Sequence, residues 1–330
     1  MGFNLQGGEK MTVESKIRNI CIFGIGGIGG VFGGMIARAI EENRDTVHRV
    51  YFIARGAHLE RIKAEGLMLN LPGYDGLLCK PALAAEHMDN IPAPDLVFLC
   101  VKGYDLDSAL DSIAGHVKED TVVIPLLNGV DIYERIKKKL GGCIVLPSCV
   151  YIGAHMEGLG EVTQDTDYAR IVTGKDPEKL EYDFAELKEL FDFSGISCVF
   201  KEDSSDSIWE KYLFIASFAL VTAWSGKTIG GVAADPELKA LAEAVIGEII
   251  SIAGRKGVKL QKDAAEKTIE IAWSMGMSVK TSYQRDIEAK KIRNEGDLFG
   301  GTITRMGREL GVETPVTEKL NSEIQKRLEG

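Results

Sequence analysis

Short, continuous apolar runs mark the N-terminal half of the chain: residues 19–23 (NICIF), 50–54 (VYFIA), 96–101 (LVFLCV) and 122–125 (VVIP). Strands buried on both faces of a parallel sheet read this way, whereas a half-exposed strand alternates apolar and polar positions. A helical pattern follows the first run after a glycine turn and passes through Met35 and Ala39. Strand, helix, strand in succession predicts a doubly wound sheet. Asp131 and Glu134 have capping-box spacing and open a further helix, whose basic end at Lys137, Lys138 and Lys139 complements its dipole. Further short strands are predicted near 144–152, 169–173 and 196–200.

After Phe200 the pattern changes. The polar segment KEDSSDS supplies cap-forming residues, and the helical period dominates from there to the C-terminus. Helices are predicted near 206–224, 236–256, 262–274, 280–310 and 316–328. The organisation predicted is a flexible tail (1–17, with Met11 as an alternative start), an α/β Rossmann-type domain (18–203) and an all-helical domain (204–330).

A length of 330 residues allows two domains, each with its own core. The net charge of −10 disfavours a nucleic-acid partner, which needs a basic footprint. Six cysteines lack metal-ligand spacing and read as buried, reduced thiols, which points to a reducing compartment. The first residues have no apolar core of a signal peptide, and the longest apolar stretch, 212–224, is too short to span a bilayer. A cytoplasmic protein without a membrane partner is expected. The five histidines are widely spaced, expected to be exposed or cap-related, and no metal site is predicted. Nothing in the chain fixes the oligomeric state, and a homodimer is left open.

The candidate chemistry begins at Gly24-Ile25-Gly26-Gly27-Ile28-Gly29, a G-x-G-x-x-G placed between an apolar strand and a helix. Gly24 permits the tight turn, Gly26 lets the backbone approach a pyrophosphate, and Gly29 allows close packing of helix on strand. The second strand ends Ala54-Arg55-Gly56 with no acid to hold a ribose 2′-hydroxyl. A guanidinium suits a 2′-phosphate, so NADPH is favoured over NADH. Lys102 and Asn128 follow the third and fourth runs, at carboxyl ends of strands where ligands bind in open sheets.

From about Arg18 to Gln325 these residues resemble the ketopantoate reductase (2-dehydropantoate 2-reductase) family. The resemblance rests on the glycine fingerprint, Ala54-Arg55-Gly56, Val101-Lys102-Gly103-Tyr104 and Leu127-Asn128-Gly129. It continues through Ile208-Trp209-Glu210-Lys211, Ser282 to Asp286, Asn294-Glu295 with Gly301, and Gly311-Val312-Glu313-Thr314-Pro315. It implies reduction of 2-dehydropantoate to pantoate by NADPH, a step of pantothenate synthesis. By the same resemblance Lys211 is the catalytic lysine, Glu295 faces it, and Asn128 holds cofactor and substrate. Ser282 contacts the substrate carboxylate, and Arg55 and Lys102 bind the adenosine 2′-phosphate side. The chemistry agrees: hydride addition to a ketone creates an alkoxide, and an ammonium supplies both a proton and a positive charge.

Two departures from the family matter. Asparagines of the substrate wall stand four and eight residues after the family's lysine; here Ile215 and Ala219 occupy those substrate-binding positions. Loss of two amides predicts a more apolar substrate, or weak binding of ketopantoate. The interval from Asp286 to Glu295 is also one residue longer than usual. Either a local bulge restores the register or Asn294 takes the acid's place; the spacing to Gly301 favours Glu295. Lys227 and Lys280 are further cations able to hold a carboxylate, though both read as surface lysines. Two alternatives follow: a related dehydrogenase for another substrate, of the opine or 3-hydroxy-acid type, and an NADPH-binding sensor without catalysis.

Overall fold

The computed structural model describes residues 15–329. Most of the predicted tail, with Met11, lies outside the described residues. At its end the backbone N–H groups of Lys16 and Ile17 donate to Glu186 Oε2 at 2.8 and 3.2 Å. Contacts divide the chain into two units: one runs to Leu127 and resumes over Ile132–Ser204, the other comprises Asn128–Asp131 and everything from Ser205 on.

The first unit starts with β1 (Asn19–Phe23), α1 (Gly27–Glu42), β2 (Arg49–Ile53), α2 (Gly56–Glu65), β3 (Leu67–Leu71), β4 (Tyr74–Cys79) and β5 (Leu83–Ala85). It continues with β6 (Leu96–Leu99), α3 (Leu106–Ile113), β7 (Val122–Pro125), α4 (Ile132–Leu140), β8 (Ile144–Val145) and β9 (Ser148–Tyr151). Last come β10 (Ala154–Gly158), β11 (Glu161–Gln164), β12 (Arg170–Gly174), α5 (Ala185–Phe193) and β13 (Ser197–Lys201).

Six strands form an all-parallel sheet in the order β5-β2-β1-β6-β7-β8. The apolar runs are its buried centre: Ile20, Ile22, Phe52, Phe98 and Ile124 are all 0 % exposed. The chain moves outward through β2 and β5, then returns to β6 beside β1. That reversal is the topological switch point at which such sheets bind ligands. This is the Rossmann-type architecture expected.

Two smaller sheets complete the unit, β10-β11-β3-β4 and β13-β12-β9. The β3–β4 hairpin was not predicted. Its inner strand does alternate, with Leu67, Leu69 and Leu71 buried, but its partner strand, YDGLLC, is largely exposed and does not alternate.

The second unit is all-helical among the described residues: α6 (Ser205–Ser225), α7 (Ile229–Ala234), α8 (Pro236–Arg255), α9 (Ala264–Ser274), α10 (Ser282–Glu288), α11 (Thr302–Leu310) and α12 (Pro315–Glu329). Helix α6 is its axis. Tyr212, Leu213 and every residue from Ala216 to Ala223 are buried, because a helix apolar on all sides must be enclosed. Helix α8 starts where the sequence says it should: Asp235 Oδ1 accepts from the N–H groups of Glu237 and Leu238 at 3.0 and 3.2 Å, with proline at the first helical position.

The single helix predicted over 280–310 is broken. Helix α10 stops at Glu288, Lys290 takes a left-handed φ of 51°, and the chain re-enters helix through a π-helical turn at Asp297–Gly301. At the turn a Cβ on Gly300 would lie 2.4 Å from Asn321, so the two approach this closely only with glycine there. The short α7 was also not predicted; a Cβ on Gly230 would approach the Gly276 carbonyl to 2.5 Å, so its glycine serves packing rather than a loop.

Two histidine expectations are corrected. His48 and His58 are buried, at 0 % and 8 % exposure, with His48 Nδ1 beside the Ile17 carbonyl and His58 Nδ1 accepting from the Gly160 N–H. The six cysteines are free, and burial pushes the Cys79 and Cys198 thiols up to about 12. Among the described residues, no helix is long and apolar enough to cross a membrane.

Candidate active site

In the first unit the glycine fingerprint lies where β1 ends and α1 begins, at the switch point. Gly24 adopts a φ of 99°, and a Cβ there would lie 3.0 Å from the Cys100 carbonyl oxygen. A Cβ on Gly29 would lie 2.0 Å from the Gly24 carbonyl oxygen, so the helix can approach the turn only with glycine at that position. Gly26 differs from both. Nothing lies within 4 Å of its would-be Cβ, and no side chain caps the helix it precedes. The N–H groups at the start of α1, ahead of the Gly30 N–H that donates to the Gly26 carbonyl, thus have no intrahelical acceptor. That cradle fits a pyrophosphate, which the bare N–H groups and the helix dipole would attract.

Of the other expected cofactor residues, Arg55 and Lys102 lie in the same unit and Asn128 in the second. Arg55 precedes α2 with an extended backbone, and its side chain is 69 % exposed. Its Nη2 donates to Asp105 Oδ2 at 2.9 Å. Lys102 is exposed after β6, and its carbonyl accepts from the Asp105 N–H at 2.8 Å. Asp105 is therefore bonded to the Arg55 guanidinium through its carboxylate and to the Lys102 main chain through its N–H. Sequence reasoning missed it, although an acid three residues after Lys102 is a visible signal.

The second unit holds the lysine. Lys211 stands half-buried on α6, and its Nζ donates to Asn128 Oδ1 at 2.9 Å. Asn128 belongs to the 128–131 loop, which is fastened at its other end: Asp131 Oδ2 accepts from Thr302 Oγ1 at 3.3 Å and Arg305 Nη2 at 3.1 Å. Neither partner was anticipated, because they lie about 170 residues away with no local pattern. Beside the lysine, the Tyr212 hydroxyl donates to the carbonyls of Leu298 and Phe299 at 2.6 and 3.2 Å. It thereby ties α6 to the π-helical turn and satisfies carbonyls that the turn leaves irregularly placed.

Glu295 lies two residues before that turn and is 3 % exposed. The side chain of Asn294 is occupied locally. Its Oδ1 accepts from the Gly296 N–H at 3.0 Å, and its Nδ2 donates to the Lys291 and Ile292 carbonyls. Residues 289–296, between α10 and the π-helical turn, are not helical, so no continuous helix joins Asp286 to Glu295.

Ser282 is the first residue of α10 and half-buried, and its side chain makes no hydrogen bond among the described residues. Its neighbour Thr281 caps α10 and shares a 2.9 Å hydrogen bond with Thr222 of α6. Ile215 is half-buried, whereas Ala219 is 2 % exposed, closed in by its own bundle. Lys280 is paired with Glu288 at 2.7 Å, and Lys227 is exposed.

Comparison with known proteins places this geometry. The family description Ketopantoate reductase PanE/ApbA matches residues 20–178, and its C-terminal counterpart matches residues 203–327. A 2-dehydropantoate 2-reductase of Mesorhizobium japonicum is 27% identical over 327 residues, covering 93% of this chain and 97% of that protein. The crystal structure of a PanE/ApbA family ketopantoate reductase from Ralstonia eutropha superposes with a TM-score of 0.84 at 26% identity, over 94% of this chain and 98% of the other. A D-mandelate dehydrogenase, solved with NADH and anilino(oxo)acetate, shares the fold with a TM-score of 0.80 at 22% identity, over 94% and 98% of the two chains. Matched in order through both its sheet domain and its helical domain, the chain belongs to the ketopantoate reductase family.

Proposed function

We propose that this protein reduces 2-dehydropantoate, or a closely related 2-oxo acid, to the 2-hydroxy acid with NADPH, as in pantothenate synthesis. The observation that carries the reading is the hydrogen bond from the Lys211 ammonium to Asn128 Oδ1. NADPH, when bound, supplies the hydride to the ketone carbon. Lys211 gives a proton to the oxygen that becomes the hydroxyl and offsets the negative charge growing there. It is left as a neutral amine and regains its proton from solvent. Asn128 accepts one ammonium N–H and so limits the directions of the others. Glu295 favours the protonated lysine, and Ser282 donates to the substrate carboxylate.

Residues of the first unit hold the cofactor. Gly24, Gly26 and Gly29 shape the turn, α1 offers its N–H groups to the pyrophosphate, and Arg55 and Lys102 take the 2′-phosphate. The absence of an acid at the end of β2 supports NADPH over NADH. The reading places the enzyme in the cytoplasm, in agreement with six free cysteines.

A second reading keeps the chemistry and changes the substrate. Ile215 and Ala219 offer no amide, which favours a 2-oxo acid with a more apolar tail than ketopantoate. A panel of 2-oxo acids graded in polarity, followed by NADPH absorbance, tests both. Preferred turnover of ketopantoate supports the first, a preference for apolar members supports the second, and no turnover of any member at saturating cofactor rejects both.

A further inference from the structure

The exposed guanidinium of Arg55 is tethered at one corner. Its partner carboxylate has 12 % of its side-chain surface exposed, against 69 % for the arginine. An aspartate just before a helix ordinarily turns to that helix's own N–H groups. Asp105 precedes α3 yet makes no side-chain capping bond. Its main chain is pinned instead: its N–H donates to the Lys102 carbonyl at 2.8 Å, and its own carbonyl accepts from Ser108 Oγ at 2.9 Å. The carboxylate is a fixed anchor, and the long arginine side chain is the group held by it.

A guanidinium has five N–H donors in a rigid fork. The bond to Asp105 leaves others for a phosphate, while the carboxylate decides where they point. Lys102 contributes a second cation from the same turn. Close to a 2′-phosphate the carboxylate by itself is repulsive, so Asp105 can assist such a ligand only through Arg55.

We propose that Asp105 is a positioning residue for cofactor choice: by fixing the Arg55 guanidinium at the end of β2 it selects a nucleotide bearing a 2′-phosphate over one bearing a 2′-hydroxyl. The proposal rests on the NADPH reading above, and a binding measurement separates the two. Dissociation constants for NADPH and NADH are measured by calorimetry on the full chain, its Asp105→Asn and Arg55→Ala variants, and the double variant. Asp105→Asn weakens NADPH about tenfold, the loss of one well-aligned charged contact. NADH affinity is unchanged, and in the Arg55→Ala background Asp105→Asn has no further effect.

An NADPH-to-NADH ratio that stays at the wild-type value, or rises, in Asp105→Asn overturns the proposal while leaving the NADPH reading intact. A wild-type protein that does not prefer NADPH, or an Arg55→Ala variant that keeps the preference, overturns the NADPH reading itself, and the proposal with it. If Asp105→Asn does not fold, Arg55→Lys tests the tether from its other end. It keeps the charge but loses the fork that can hold carboxylate and phosphate together, so NADPH weakens about tenfold and NADH does not. Retention of the wild-type ratio in that variant overturns the proposal as well.

Discussion

Lys211 and Asn128, 83 residues apart in sequence, are joined by a 2.9 Å hydrogen bond from Nζ to Oδ1. An ammonium with three rotatable donors has no preferred direction of its own. One fixed acceptor gives it a direction, and the loop that carries the acceptor is itself fastened by Asp131 to Thr302 and Arg305. Proton delivery depends on such placement, because a displacement of about 1 Å can cost about 10²-fold in rate.

Asn128→Ala is therefore expected to lower kcat by about 10²-fold. The thermal midpoint should change little, since Asn128 is only half-buried. Steady-state kinetics with the preferred 2-oxo acid, alongside a melting curve, checks both statements. A wild-type kcat in the variant would remove any role for this bond.

The fingerprint glycines should separate into ligand and packing roles. A Cβ at Gly26 meets no protein atom within 4 Å, so Gly26→Ala leaves the fold intact and intrudes on the pyrophosphate. Its NADPH dissociation constant is expected to rise at least about tenfold. A Cβ at Gly29 would sit 2.0 Å from the Gly24 carbonyl, so Gly29→Ala should destabilise the protein by about 1–3 kcal/mol even without ligand. Calorimetric titration and urea unfolding distinguish the two; equal stability losses would contradict this division.

The two α6 positions proposed to line the substrate should also respond differently. Ile215 is half-buried and can carry an amide, so Ile215→Asn is expected to shift the substrate ranking toward ketopantoate at little cost in stability. Ala219 is 2 % exposed, and Ala219→Asn buries an amide in a full bundle, at a cost of about 2 kcal/mol or more. An unchanged substrate ranking in Ile215→Asn would dismiss that residue as a determinant of specificity.

How much of this was legible in the sequence depends on the range of the forces involved. The strands holding Ile20, Phe52, Phe98 and Ile124 are buried on both faces, so their burial is written as uninterrupted apolar runs. The glycine turn is equally local. The break after α10 was hidden because Lys290, Lys291 and Arg293 are good helix formers, yet Lys290 takes a left-handed φ of 51° just past the helix end. The partners of Asp131 and the anchor of Arg55 were hidden because each joins segments that only the folded chain brings together. Arg55 stood out in the sequence, whereas its ion pair with Asp105 did not.

Asp176 supplies a pH-dependent element of stability. It is 0 % exposed and accepts from the Tyr133 hydroxyl at 2.7 Å, the Val145 and Glu178 N–H groups at 2.8 and 2.9 Å, and Lys137 Nζ at 3.3 Å. Burial pushes its carboxyl up, but the two backbone N–H groups, the tyrosine and the lysine together hold it below the usual carboxylate range. A carboxyl depressed on folding contributes stability that is fully present above its unfolded value of about 3.9 and is lost as pH falls from there through the folded value. Asp176→Asn should cost about 3 kcal/mol at neutral pH and flatten the loss of stability below about pH 4. Urea midpoints across that range check it; parallel wild-type and variant curves would show that another carboxylate is responsible.

The most direct test of the proposed chemistry compares wild type with Lys211→Ala at saturating NADPH and the best 2-oxo acid of the panel, with NADPH affinity measured separately by calorimetry. The expected result is a fall in kcat of about 10²–10⁴-fold with NADPH affinity unchanged, because only the proton donor and its charge have gone. A variant that oxidises NADPH at the wild-type rate would contradict the assignment of Lys211 as general acid.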